Sequence, residues 1–136
     1  MSTYPIAAVG TDADEAKRLR ALRIRTAAGL LEAAKTPKGR RQLAMQTGIA
    51  EQRLLSLANS ADRMRIKGLG KEYAAILPAV GVDTVRELKF RNPENLALRI
   101  ADYNKKRKLL RFLPPVGLVE RWVEQAKRLP LKITYR

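Results

Sequence analysis

The sequence predicts an all-α fold: a compact bundle of short helices containing one clear and one degenerate helix-hairpin-helix unit. Three observations predict it. Apolar residues recur at helical spacing along almost the whole chain, and strand-like alternation is confined to residues 131–135. Helix-start and helix-stop residues punctuate the chain at short intervals, which implies helices of about 6 to 13 residues. The two halves also share a degenerate repeat, so the chain reads as two related groups of helices. At 136 residues it is long enough for one domain or two small ones sharing a core. We expect a single domain over 1–136, with a degenerate helix-hairpin-helix half at 4–35, a helical pair and a helix-hairpin-helix at 36–90, and C-terminal helices with a short tail at 91–136.

Taken in order, Ile6-Ala-Ala-Val-Gly10 opens the first copy of the repeat and is followed by a helix. Asp12, Asp14 and Glu15 suit the positive N-terminal end of that helix, so dipole stabilisation accounts for them without catalysis. Ile24-Arg-Thr26, with Leu30 four residues on, closes the copy. Thr36-Pro37 places a capping hydroxyl before a proline at the first helical position, where the missing N–H costs nothing. Gly48 stops that helix, and another is expected at about 50–62. Ile66-Lys-Gly-Leu-Gly70 opens the second copy, with a helix over about 71–80 that Pro78 should kink, because proline has no N–H to donate to Ala74.

Gly81 then marks a stop and Val82-Asp-Thr84 repeats the closing phrase, with Leu88 in place of Leu30. Thr84 and Glu87 have capping-box spacing, and Asn92-Pro93 marks a further start. The last strong helix is expected near 116–129. There Leu118, Val119, Trp122, Val123, Ala126 and Leu129 share one face, and Trp122 reads as core.

Composition narrows the function classes. Twenty-eight Lys and Arg against 13 Asp and Glu give a net charge of +15, undisturbed by histidine. Divided after Gly68, the chain holds 13 basic and 6 acidic residues, then 15 and 7, so the halves carry +7 and +8. The charge belongs to the whole fold, and self-repulsion on that scale points to a polyanionic partner. Ribosomal RNA, an anionic membrane surface and acidic proteins answer to the same electrostatics. With no Cys and no His, disulfides, thiolate and imidazole metal sites and His-dependent triads are excluded, and no cofactor or metal is expected. No apolar run of about 18 residues and no leader-like N-terminus is present, so a cytoplasmic protein without a membrane span is expected, nucleoid-associated if it binds DNA.

The segment Ile66–Gly70 has the form of the helix-hairpin-helix signature, in which two apolar residues anchor a tight hairpin and glycines permit conformations closed to other residues. Gly68 and Gly70 have no side chains to obstruct a phosphate, so backbone N–H groups of Gly68, Leu69 and Gly70 can reach its oxygens. Lys67 and Lys71 add charge beside that pocket. The flanking helices are expected to pack through Leu54, Leu57, Ala58, Tyr73, Ala74 and Leu77. The first copy is expected to be structural, because Ala8 replaces the first glycine and the acids nearby repel phosphate.

Three basic runs add contacts: 17–25; 35–41, with Lys38, Arg40 and Arg41; and Lys105, Lys106, Arg107 and Lys108 with Arg111. The last is the densest. Leu109, Leu110 and Phe112 beside it are expected to pack while the cations face outward and clamp a nucleic-acid backbone. A competing motif runs through Leu43-Ala44, Gly48-Ile49, Leu54 and Leu57, which match the apolar and glycine positions of a helix-turn-helix. Gln52 and Arg53 would then read bases, although Thr47 stands where an apolar residue is more usual.

At these residues the chain resembles a bacterial domain family of unknown function built from tandem helix-hairpin-helix units, over roughly residues 4 to 129. The resemblance is carried by Thr36-Pro-Lys-Gly-Arg40, Thr47-Gly-Ile49, the stretch from Ala61 through Gly70, Gly81-Val-Asp-Thr84, Asn92-Pro-Glu-Asn-Leu96, and Trp122 with Ala126-Lys127. It implies an all-α fold containing the hairpin. Function remains a physical inference: non-enzymatic, largely sequence-independent binding of double-stranded DNA through backbone phosphates. RNA is the alternative nucleic acid, and a protein-protein adaptor or RNA-associated module is the alternative class.

Overall fold

A computed structural model describes residues 4–136, and among these the chain is all-helical with no strand. Eight α-helices occur among the described residues: α1 Ala13–Ala21, α2 Ala27–Ala34, α3 Pro37–Thr47, α4 Glu51–Arg63, α5 Gly70–Ile76, α6 Val85–Lys89, α7 Pro93–Arg107 and α8 Val116–Arg128. Two 3₁₀ segments, Ile6–Val9 and Leu77–Val80, precede α1 and extend α5. The alternating residues near the C-terminus form no strand; one isolated antiparallel bridge joins Pro5 and Thr26. Instead the tail is tied by the Thr134 N–H, which donates to the Lys35 carbonyl at 2.8 Å.

Helix starts follow local chemistry. The Thr26, Thr36 and Asn92 side chains accept from the N–H groups of Gly29, Gly39 and Asn95, each at 3.0 Å. Asp12 and Thr84 form capping boxes with Glu15 and Glu87. These contacts satisfy N–H groups that the first helical turn leaves without intrahelical partners. Pro78 is the second residue of the 3₁₀ segment, so the kink expected in the helix after Gly70 is realised as a tighter turn after only seven α-helical residues.

The chain divides into two compact units, one of residues 1–65 with 132–136 and the other of residues 66–131. In the first, α2 packs on α3 and α4, and the 3₁₀ segment at Ile6 packs on α2 and α4. Ile6, Leu19, Leu30, Leu54 and Leu57 make its core, each at most 1% exposed. In the second, α8 packs on α6 and α7, and α7 packs on the 3₁₀ segment. Trp122 is fully buried there, its ring 5.3 Å from that of Tyr73.

The division reproduces the repeat. In each unit an initial turn ends in a left-handed glycine, Gly10 or Gly70, and leads into a helix. A second left-handed residue follows, Arg23 or Gly81, then a threonine-capped short helix, a helix with proline at its start, and a third left-handed residue, Gly48 or Lys108, before the last helix. The backbone plan therefore survives where glycine does not, at Arg23 and Lys108.

A candidate nucleic-acid interface

The second unit opens with the turn Ile66–Gly70. Gly68 and Gly70 have φ of +82° and +71°, values that side chains rarely adopt, and Ile66 and Leu69 are buried beneath them. A Cβ on Gly70 would meet nothing within 4 Å, and one on Gly68 would only touch Leu118 at 3.8 Å. Backbone conformation, not crowding, requires these glycines. In the first copy Ala8 lies within a 3₁₀ turn and only Gly10 is left-handed, at φ +100°. Alanine would be strained by about 1–2 kcal/mol in the conformation of Gly68, so the two turns differ in shape.

Gln125 of α8 anchors this turn at Lys67, its Oε1 accepting from the Lys67 N–H at 2.8 Å and its Nε2 donating to the Lys67 carbonyl at 2.9 Å. The Leu69 N–H donates to the Ile66 carbonyl at 3.4 Å. Leu69 is therefore an anchor whose donor is turned inward, a correction to its assignment as a phosphate contact. Among the described residues the N–H groups of Gly68 and Gly70 donate to no protein acceptor. Lys67, Gly68 and Lys71 are exposed.

The densest basic run lies in the same unit. Lys105, Lys106 and Arg107 occupy the last turn of α7, where cations interact favourably with the helix dipole. Lys108 caps that helix at φ +54°. Lys71 and Leu109 line one cleft of about 350 Å³ together with Glu72, Ala75 and Ile76. The Tyr73 hydroxyl donates to the Phe112 carbonyl at 3.2 Å, tying the segment after the basic run to α5. Asn104 holds Leu110 by two bonds, at 2.6 and 3.0 Å. Leu110 alone packs as expected: Leu109 is 61% and Phe112 71% exposed, with the Arg111 guanidinium 5.6 Å from the Phe112 ring centre.

The remaining predicted contacts belong to the first unit and divide. Lys38 and Arg41 are exposed on α3. Arg40 is only 5% exposed, and its guanidinium donates to the carbonyls of Ala34 at 2.8 Å and Thr134 at 2.7 Å. Burial lowers its pKa from the ordinary arginine value. It is a clamp on the C-terminal tail, which corrects its assignment as a surface phosphate contact.

The helix-turn-helix reading loses its base-reading arginine. Arg53 forms two bonds with Glu15, at 2.8 and 2.9 Å, and a third to the Gly10 carbonyl at 3.0 Å. The same contact holds the Glu15 carboxyl below, and the Arg53 guanidinium above, their ordinary values. Thr47 stands at its apolar position because its hydroxyl is satisfied there, donating to the Leu43 carbonyl at 2.6 Å and accepting from the Ile49 N–H at 3.1 Å.

The helices expected to flank the hairpin fall in different units, α4 in the first and α5 in the second. Sequence reasoning did not identify Gln125, Tyr73 and Asn104 as the groups that brace the hairpin and the basic run. Their partners lie 58, 39 and 6 residues away, and nothing local marks them. Among the described residues no helix is long and apolar enough to cross a membrane, and no three acidic side chains gather as metal ligands would. No curated protein and no solved structure matches the chain. The family described as Domain of unknown function (DUF4332) matches residues 9–129, and the chain belongs to that family.

Proposed function

We propose that the chain binds double-stranded DNA with little regard to sequence, through backbone phosphates, and catalyses no reaction. The observation that carries this reading is the meeting of two features in one unit. An exposed hairpin with two left-handed glycines, whose N–H groups are open, adjoins a cleft lined by Lys71 and by Leu109 of the basic run. Exposed N–H groups in such a turn form a concavity suited to phosphate oxygens. Lys67 and Lys71 supply charge beside it, Lys105, Lys106, Arg107 and Lys108 lead along the chain to Leu109 at that cleft, and each neutralised phosphate releases counterions. Lys38 and Arg41 add a second basic surface on the first unit. The ion pair of Arg53 with Glu15 competes with base reading by that residue, which favours sequence tolerance.

The test is anisotropy of a fluorescent random duplex of about 25 base pairs at several salt concentrations, where each phosphate contact contributes about 0.9 to the log–log slope. The double variant Gly68→Glu, Gly70→Glu should lose most of the affinity while remaining helical. Gly68→Ala with Gly70→Ala separates backbone strain from repulsion and should retain more binding than the Glu pair. Undiminished affinity in a folded Glu variant would move the binding to the basic runs alone. Absence of binding at low salt would assign the basic surface to an acidic protein partner, and preference for an RNA duplex would change the nucleic acid.

A further inference from the structure

The exposed side chains after α7 are not needed to grip phosphates. Leu109, Phe112 and Leu113 are 61%, 71% and 49% exposed within five residues, beside Lys105–Lys108 in sequence and lining or bordering the segment tied to α5. Phosphate oxygens offer these groups nothing. We propose that Phe112 stacks on an unpaired base, so that the second unit recognises DNA in which a duplex meets a single-stranded end. This inference rests on the DNA-binding reading and names the form of DNA that the same surface takes.

Three features favour that occupant. Phe112 stands in water with a guanidinium 5.6 Å from its ring centre, a pairing of aromatic and cation that suits a base carrying its own phosphate; Phe90 shares that pairing, with the Lys89 ammonium 4.9 Å from its ring centre, so the choice of Phe112 rests on its place after the basic run. The segment is held before any ligand arrives: Asn104 fixes both backbone groups of Leu110, and Tyr73 fixes the Phe112 carbonyl. A ring displayed on a braced backbone loses little conformational entropy on stacking. Finally, Tyr73 lies on α5, which starts at Gly70, and Lys71 shares its cleft with Leu109. Lys71 and the segment that carries Phe112 thus adjoin the same helix. An anionic membrane would also answer to exposed apolar groups beside lysines, but it calls for no such tie on the backbone that carries one aromatic residue.

The experiment compares two fluorescent duplexes of the same roughly 25 base pairs, one blunt and one with an overhang of about six nucleotides, at one salt concentration. Wild type should bind the overhang about tenfold more tightly, since stacking of one or two bases accounts for that ratio. Phe112→Ala should abolish the preference while leaving blunt-duplex affinity and its salt slope unchanged, and Phe112→Trp should restore it. Equal binding of both duplexes by wild type, or a preference that survives Phe112→Ala, overturns the stacking role and leaves backbone binding intact. Absence of binding to either duplex overturns both. Phe112-dependent binding to vesicles of anionic lipid, with no DNA preference, would overturn the inference in favour of a membrane.

Discussion

Replacing Arg40 by methionine separates a structural arginine from a ligand-binding one. The guanidinium makes two short bonds to carbonyl oxygens, one at the end of α2 and one in the C-terminal tail. Hydrogen bonds from charged donors contribute about 1.5–3 kcal/mol each, and removal leaves a buried acceptor behind. Against this, a cation that is almost fully buried regains its hydration when removed, so the net loss should be about 2 kcal/mol. For a folding unit of this size that lowers the thermal midpoint by about 10 °C. Circular dichroism melts measure it. Truncation before Lys132 removes one of the same two acceptors, so the two changes together should cost less than their sum. In parallel the salt slope of DNA binding should not change, whereas Lys38→Gln or Arg41→Gln should each lower it by about 0.9 if those exposed residues touch phosphates. An Arg40→Met protein that melts with the wild type but loses about 0.9 in slope would refute the clamp and return Arg40 to the surface.

Three further outcomes follow from the same geometry. Arg23 and Lys108 hold φ of +65° and +54° where the other repeat has glycine, so Arg23→Gly and Lys108→Gly should each stabilise by about 0.5–1 kcal/mol. Lower urea midpoints for both would show that their value as cationic caps exceeds the strain. Gly39→Ala would place a Cβ 2.3 Å from the Ala33 carbonyl oxygen, a backbone atom that cannot swing aside, and should cost about 3 kcal/mol by chemical denaturation; an unchanged midpoint would contradict the packing of α3 on the end of α2. Glu15 is held below its ordinary pKa mainly by its bond to Arg53, and Glu32 is held at about 2 by Lys35 and then Lys132. Carboxyls with lowered folded-state values stabilise fully above the unfolded value and lose that contribution as pH falls through the folded one. The first unit should therefore weaken below the ordinary glutamate range, down towards pH 2, and Glu15→Gln with Glu32→Gln should flatten that dependence in acid melts.

Helix boundaries were legible because they are set within a few residues. Thr26, Thr36, Thr84 and Asn92 each cap through a donor or acceptor three positions away, and Gly48 and Gly81 stop helices by their own backbone conformation. The apolar face of α8 predicted the burial of Trp122, Val123 and Ala126 for the same reason. Charge was legible as a total, and the turn at Ile66–Gly70 as two glycines and two apolar residues, which the structure makes left-handed and buried respectively. Local reading misjudged Leu109 and Phe112, since an apolar residue beside a basic run packs only if a partner surface exists, and Leu110 has taken that place.

By itself, then, the sequence determined an all-α chain, its helix ends, its repeat and its positive charge, all properties of single residues or of neighbours within a turn. Only the tertiary structure decided which cations remain available. Arg40 and Arg53 look like any other surface arginine in the sequence, yet their partners stand 94 and 38 residues away. A guanidinium has five donors on a long stem, and it goes wherever folding brings unsatisfied carbonyls or carboxylates within reach. That choice depends on how distant helices pack, which spacing along the chain does not encode.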